Sequence, residues 1–292
     1  MQLSWGAMNY RLILFFLFLM MLFIPLSGKC NEGDVKQAFI EYTKKGCINW
    51  TDGFIRAKGI GIPSKNRYGK KQSALETGMQ IARNNLLEVV KCVRINAFST
   101  VKDLTFQNEN IISEINNMVK SAQIAEQKYM SDGMVEVTIQ LSMYGGFAQL
   151  VLPKEIKQIE SIKTVATEFN DSSGNRPEHE AYTKLVVDAR GLGAKPAMAP
   201  TIQSENGREI YGPAFVSREF AVQQGMGVYA MGLAAVGNNR KINNDSLIIK
   251  ALRIKEPENT DIIISNTGAS RILSVSRHLL LLKECRLIIL ID

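Results

Sequence analysis

The chain has 292 residues, 46% of them hydrophobic and 22% charged, the proportions of a packed globular protein and not of a disordered chain. Its 35 basic against 28 acidic residues give a net charge of +7, but the basic residues are scattered, so no nucleic-acid partner is expected. Four cysteines without a C-x-x-C spacing and only two histidines leave neither a zinc knot, a thioredoxin-type motif nor a histidine-rich metal site.

The first element is apolar. Leu12 to Ile24 is an unbroken hydrophobic run, preceded by Arg11 and followed by Pro25 and then Leu26-Ser27-Gly28. Those are the charged, apolar and cleavage regions of a secretory signal peptide, placed over residues 1–28. The run is about 13 to 15 residues, short of the ~20 that span a bilayer as a helix, so cleavage is expected and a retained membrane helix is the alternative. Cys30 stands where a bacterial lipoprotein carries its lipid, although Lys29 and not a small residue precedes it. Cys47, Cys92 and Cys285 read as free thiols, with Cys92 and Cys285 in buried apolar settings. A disulfide in an oxidising compartment stays open.

Residues 48–61 read as one extended segment closed by Ile62-Pro63-Ser64. From Lys71 the period changes: Leu75, Met79, Ala82, Leu86, Val89 and Val93 recur at three- and four-residue steps, which predicts a long amphipathic helix. Ile111, Ile112, Ile115, Met118 and Val119 predict a shorter one. The period then falls to two, with Val135, Val137, Ile139, Leu141 and Met143 alternating with polar residues. The turn signal Ser131-Asp132-Gly133 makes Gln123–Met130 the partner strand of a hairpin.

Beyond this unit the patterning weakens and ends in the polar stretch Asn170–Pro177, which marks a domain boundary. A second block opens with a strand over Thr183–Ala189. Thr201–Tyr211 reads as a hairpin turning at Asn206-Gly207. Leu247–Ile254, Asp261–Ile264, a helix over 269–283 capped by Asn266 or Thr267, and Arg286–Ile291 complete the chain. Their order predicts a β-α-β crossover with adjacent parallel strands. The expected fold is α+β: a helix-on-antiparallel-sheet domain over 31–150, a linker over 151–179 and a second α/β domain over 180–292, ending in the β-α-β unit.

Candidate chemistry is sparse. Gly59-Ile60-Gly61 and Gly225-Met226-Gly227 do not complete a dinucleotide fingerprint and read as turns or close packing. His179 falls in the linker, and His278 reads as a surface or boundary residue of the last helix. Neither has a nucleophile or carboxylate cluster in the sequence around it. Asp188 with Glu205 and Glu209 is a weak case for paired carboxylates. No catalytic, cofactor-binding or metal-binding residue is assigned, and no cofactor is expected. If the two blocks enclose a ligand cleft, its polar residues are Asp188, Arg190, Arg208 and Tyr211.

Several segments carry a family resemblance. Asn49-Trp50-Thr51-Asp52-Gly53, Ala57-Lys58-Gly59-Ile60-Gly61-Ile62-Pro63 and the helix from Ala74 to Leu87 resemble the membrane-associated lipoprotein-twenty family, first named from Helicobacter. Through it they also resemble the N-terminal domain of flagellar assembly protein T. Leu185–Gly191, Pro196–Pro200 and Glu205–Gly212 resemble the C-terminal extension of longer exported members. The resemblance implies an α+β fold and an envelope location, in the periplasm or at the outer membrane. With export, it makes the expected function that of a non-enzymatic interaction or assembly module, whose partner is an envelope protein or a membrane surface. The alternative expectation is an exported small-ligand-binding protein or enzyme using an interdomain cleft.

Overall fold

A computed structural model of the chain describes residues 38–63, 70–157, 182–232 and 246–292. The fold is α+β. The signal segment, Cys30, His179 and most of the stretch read as a linker lie outside the described residues.

The first sheet is antiparallel throughout. It contains β1 (Ile40–Tyr42), β2 (Gly46–Asn49), β3 (Phe54–Gly61), β4 (Gln123–Tyr129) and β5 (Val135–Ser142), in the order β1-β2-β3-β5-β4. The extended segment expected over 48–61 is instead two strands and a turn. The Asn49 side-chain carbonyl accepts from the backbone N–H groups of Thr51 at 3.1 Å and Asp52 at 2.8 Å, and Gly53 takes φ of +68°. Asn49 thus supplies the local bonds that turn the chain back on itself.

Helix α1 (Lys70–Lys91) covers β3 and β5, burying Ala74, Ala82, Leu86, Val89 and Val90. The contact is close because both surfaces carry glycine. A Cβ on Gly61 would stand 1.7 Å from the Ala74 carbonyl oxygen, and one on Gly59 2.2 Å from that of Gly78. The Gly59-Ile60-Gly61 pattern is therefore a packing seat for a helix.

Two short helices follow, α2 (Val101–Gln107) and α3 (Glu109–Lys120). Thr100 and Asp103 form a reciprocal capping box at the start of α2, and Asn108 caps α3 by accepting from Asn110 N–H. Those Thr100 hydrogen bonds hold the Asp103 carboxyl below its ordinary pKa. Helix α4 (Gly146–Val151) then buries Phe147, Ala148 and Val151.

The second sheet has seven strands in the order β8-β7-β11-β10-β6-β12-β9. They are β6 (Lys184–Asp188), β7 (Ile202–Ser204), β8 (Glu209–Tyr211), β9 (Val228–Ala230), β10 (Ser246–Ile254), β11 (Ile262–Ile264) and β12 (Leu287–Leu290). Helix α5 (Arg218–Gln224) precedes β9, and α6 (Asn266–Leu273) and α7 (Ser276–Lys283) join β11 to β12. The strand–helix–strand succession stands, but its two strands are not neighbours. β12 lies parallel between β6 and β9, whereas β11 is antiparallel to β10 and parallel to β7. A helical connection that carries the chain past β10 and β6 fills the slot beside β6, and all-apolar strands fit either position equally well.

Three further expectations change. The last helix is two helices broken at Ser274-Val275, and its cap is Ser265, whose Oγ accepts from Gly268 N–H at 3.0 Å. His278 is buried, its Nδ1 at 3.3 Å from the Arg271 carbonyl oxygen and its ring against Tyr182. Cys92 is exposed at the end of α1, while Cys285 is buried as expected; both are free thiols, as is Cys47.

Lys36–Asp292 form one compact unit. Its core runs continuously from Ile48, Leu86 and Val93 through Phe147, Val151 and Ile156 to Tyr211, Met226 and Ile289. Val151, Leu152 and Ile156, where a linker was expected to begin, belong to that core.

Candidate functional site

The four residues proposed to line a cleft do not converge. Asp188 and Arg190 pair with each other, the guanidinium donating to both carboxylate oxygens at 2.8 and 2.7 Å. This pairing holds the Asp188 carboxyl below its ordinary pKa. Arg208 lies in the β7–β8 turn, and β8 is separated from β6 by β7, β11 and β10, roughly 19 Å at ~4.8 Å per strand step. Tyr211 is wholly buried, its hydroxyl donating to the Met226 carbonyl. The weak carboxylate set is no closer to a site. Glu205 accepts from Asn266 N–H at 3.0 Å, and Glu209 faces Asp261 instead of Asp188.

Among the described residues the two sheets meet across a filled seam. Tyr229 lies at the centre of that seam, 2% exposed. Its hydroxyl accepts from Ala197 N–H and donates to Ala197 C=O, both at 3.0 Å, and its ring meets Trp50 edge-on at 5.9 Å. Thr51 Oγ1 donates to the Tyr229 carbonyl at 2.6 Å. Beside it, Arg94 grips both oxygens of Glu41 at 2.9 and 2.5 Å while its Nε donates to the Pro196 carbonyl at 2.8 Å. Two backbone bonds, Met198 N–H to Arg94 C=O and Ala199 N–H to Ile95 C=O, close the seam further. The space left between Trp50, Met143, Met198, Met226 and Tyr229 is about 20 Å³, room for about one water.

Two larger concavities lie elsewhere. One, of about 240 Å³, opens at the starts of β6, β9 and β12, between Lys184, Gln224, Cys285 and Arg286. Burial raises the Cys285 thiol to a pKa of about 12, so it stays protonated and weakly nucleophilic near neutral pH.

The other is a groove of about 420 Å³ between the 95–99 loop, α2–α3 and the chain leaving α4. It is lined by apolar Ile95, Leu104, Ile111, Leu150 and Leu152 together with polar Asn96, Gln107, Asn108 and Lys154. Asn96 Oδ1 accepts from Phe98 N–H, Ser99 N–H and Ser99 Oγ, fixing the loop that holds Phe98 out in solvent. Phe98 is 82% exposed and Phe106, on α2, is 79% exposed with Lys102 against its ring. Both phenylalanines adjoin residues that line the groove. The sequence signal missed here was local: Thr100 and Asp103 announce a helix start, after which Phe106 falls on the face opposite Val101 and Leu104.

Among the described residues no group of three or more His, Cys, Asp or Glu could hold a metal ion, and no helix is long and apolar enough to cross a membrane. The fold and these surfaces define an α+β protein with two sheets joined through one core. Residues 184–292, the whole second sheet and its helices, match a family described as Treponema pallidum Tp0624, second domain. No curated protein matches the chain.

Proposed function

We propose that this protein is a non-enzymatic exported component of the bacterial cell envelope, periplasmic or outer-membrane associated, that works as an interaction or assembly module. In this reading the α2–α3 groove binds an apolar segment of another envelope protein. The observation that carries it is the pair of solvent-exposed phenylalanines, Phe98 and Phe106, set beside a groove lined by both apolar and polar side chains. Burying a phenylalanine contributes about 1.5–3 kcal/mol, and aromatic anchors around a pocket are the usual centre of a protein interface. The groove is partly open to solvent, which suits a side chain presented by a protein segment better than an enclosed small molecule. The signal-like N-terminus supports export, and the match to a Treponema domain supports a bacterial setting. The resemblance of 48–145 to the lipoprotein-twenty family agrees with both.

The test is photo-crosslinking in the producing cells, with a photoreactive phenylalanine analogue at 98 or 106 and, as control, at exposed Tyr42. Adducts to one envelope protein from both groove positions and not from Tyr42 are expected. Adducts that are identical at all three positions, or confined to cytoplasmic proteins, overturn the reading.

A further inference from the structure

β4 is the outer strand of the first sheet. Among the described residues it pairs with β5 on one side only, and all seven of its residues, Gln123 to Tyr129, are exposed. An edge of this kind presents unpaired backbone donors and acceptors that another strand can satisfy. The common protection is a lone lysine or a bulge. The bulge here sits at one end, between Ile124 and Glu126, after which Glu126, Gln127, Lys128 and Tyr129 pair regularly with β5. The lysine is Lys128, and it is not alone: Glu126 lies two residues before it on the same face of the strand, with the carboxylate at 3.1 Å from Nζ.

That spacing is self-complementary. When two copies of one strand pair antiparallel about a two-fold axis and keep their sheet faces continuous, opposed residues must share a face. On the regular stretch the axis can then lie at Glu126, at Gln127, at Lys128 or at Tyr129, and one at Tyr129 sets Lys128 opposite Met130 and leaves the charged pair without opposed partners. An axis at Glu126 sets two glutamates against each other, and one at Lys128 sets two lysines against each other, both destabilising. An axis at Gln127 instead places Glu126 of each copy opposite Lys128 of the other. Within its own chain Lys128 already stands opposite Glu136, which also takes Lys58 at 3.1 Å. The second copy would thus complete a row in which lysine lies between glutamates on both sides.

We propose that a second copy of this chain adds antiparallel to the β4 edge with the two-fold axis at Gln127, joining the two first sheets into one continuous sheet. The interaction is independent of the groove.

The test uses the full chain in the producing cells. In Gln127→Cys the two introduced thiols face each other at the ~4.5–5.5 Å Cα separation of an opposed pair, within disulfide range. With exposed Cys92 replaced by Ser throughout, oxidation should give a covalent dimer that neither the chain without Gln127→Cys nor Lys128→Cys gives. Charge reversal supplies the second arm. Differently tagged copies that both carry Glu126→Lys, or both carry Lys128→Glu, should co-purify at least tenfold less than unchanged copies. A Glu126→Lys copy mixed with a Lys128→Glu copy should recover the association, which also shows that both variants fold. A Gln127→Cys chain that stays monomeric on oxidation, single reversals that associate as well as the unchanged chain, or a mixture that fails to recover overturns the proposal.

Discussion

Replacing Tyr229 with Phe removes one oxygen from the centre of the molecule and leaves the ring against Trp50. The lost hydroxyl leaves both the Ala197 N–H and the Ala197 C=O without their side-chain partner, in a place with room for about one water. A buried backbone group left unpaired costs about 1–3 kcal/mol. The variant should therefore lose about 2–6 kcal/mol for the two groups, the lower figure holding if a water enters. At roughly 2–4 °C per kcal/mol for a domain of this size, the midpoint of thermal unfolding falls by about 4–24 °C. The assay is denaturant unfolding of a chain carrying Trp5→Phe, followed both by tryptophan fluorescence, which then reports Trp50 at the seam, and by circular dichroism, which reports both sheets. Because the two sheets share one core, both signals should shift together in a single transition. A loss below about 0.5 kcal/mol, or a fluorescence shift with no change in the circular dichroism transition, would refute the assignment of the seam as the joint that makes the halves cooperative.

Gly61→Ala drives a methyl group into the Ala74 carbonyl and should cost about 3 kcal/mol or more; a soluble variant with an unchanged melting temperature would contradict the close seating of α1. Arg94→Lys keeps the charge but loses the fork that holds Glu41 and Pro196 together. About 1–2 kcal/mol should be missing from the denaturant midpoint, since both side chains are partly screened by solvent. Burial pushes the Asp261 carboxyl above its ordinary pKa, against the opposing pull of Lys255 and the Thr260 hydroxyl. The native state therefore holds that proton more tightly than the unfolded chain, and stability falls as pH rises from about 4 through the raised value. Asp261→Asn should flatten this slope and be more stable than the unchanged chain at pH 7, while Glu209, shifted the same way by burial and by Asp261, keeps a smaller slope of its own. A pH–stability profile of the variant parallel to that of the unchanged chain would overturn the assignment.

Much of the fold was legible because one face of each element is buried. The three- and four-residue spacing through Leu75, Ala82 and Leu86 gave α1, the two-residue spacing through Val135 and Ile139 gave β5, and Asn206-Gly207 gave the β7–β8 turn, with Gly207 at φ of +81°. Where elements are buried all round, periodicity is silent. Ile262–Ile264 and Leu287–Leu290 are identifiable as strands, yet nothing in an apolar run says which neighbour it takes or in which direction. Short capped elements were missed for a different reason. The Asn49 turn and the Thr100 capping box depend on single side-chain hydrogen bonds, which leave no repeat in the sequence. The groove between the 95–99 loop and α2–α3 was hidden because an exposed Phe98 reads in isolation as a core residue. Asp188, Arg190, Arg208 and Tyr211 shared polarity but not position, since strand order had separated β6 from β8.

The strand order of the second sheet also governs how the protein is made. Leu185 of β6 takes its two neighbours from Leu247 and Leu287, both synthesised long after it. During elongation β6 is an apolar strand with both edges open, and it cannot be shielded by anything nearby in the chain. Long-range pairing of this sort closes slowly and leaves sticky intermediates. A cell producing this protein therefore has to hold the first half in an unaggregated state until the second half has emerged. A holdase chaperone acting on the nascent chain should matter more to its yield than the stability of the finished fold.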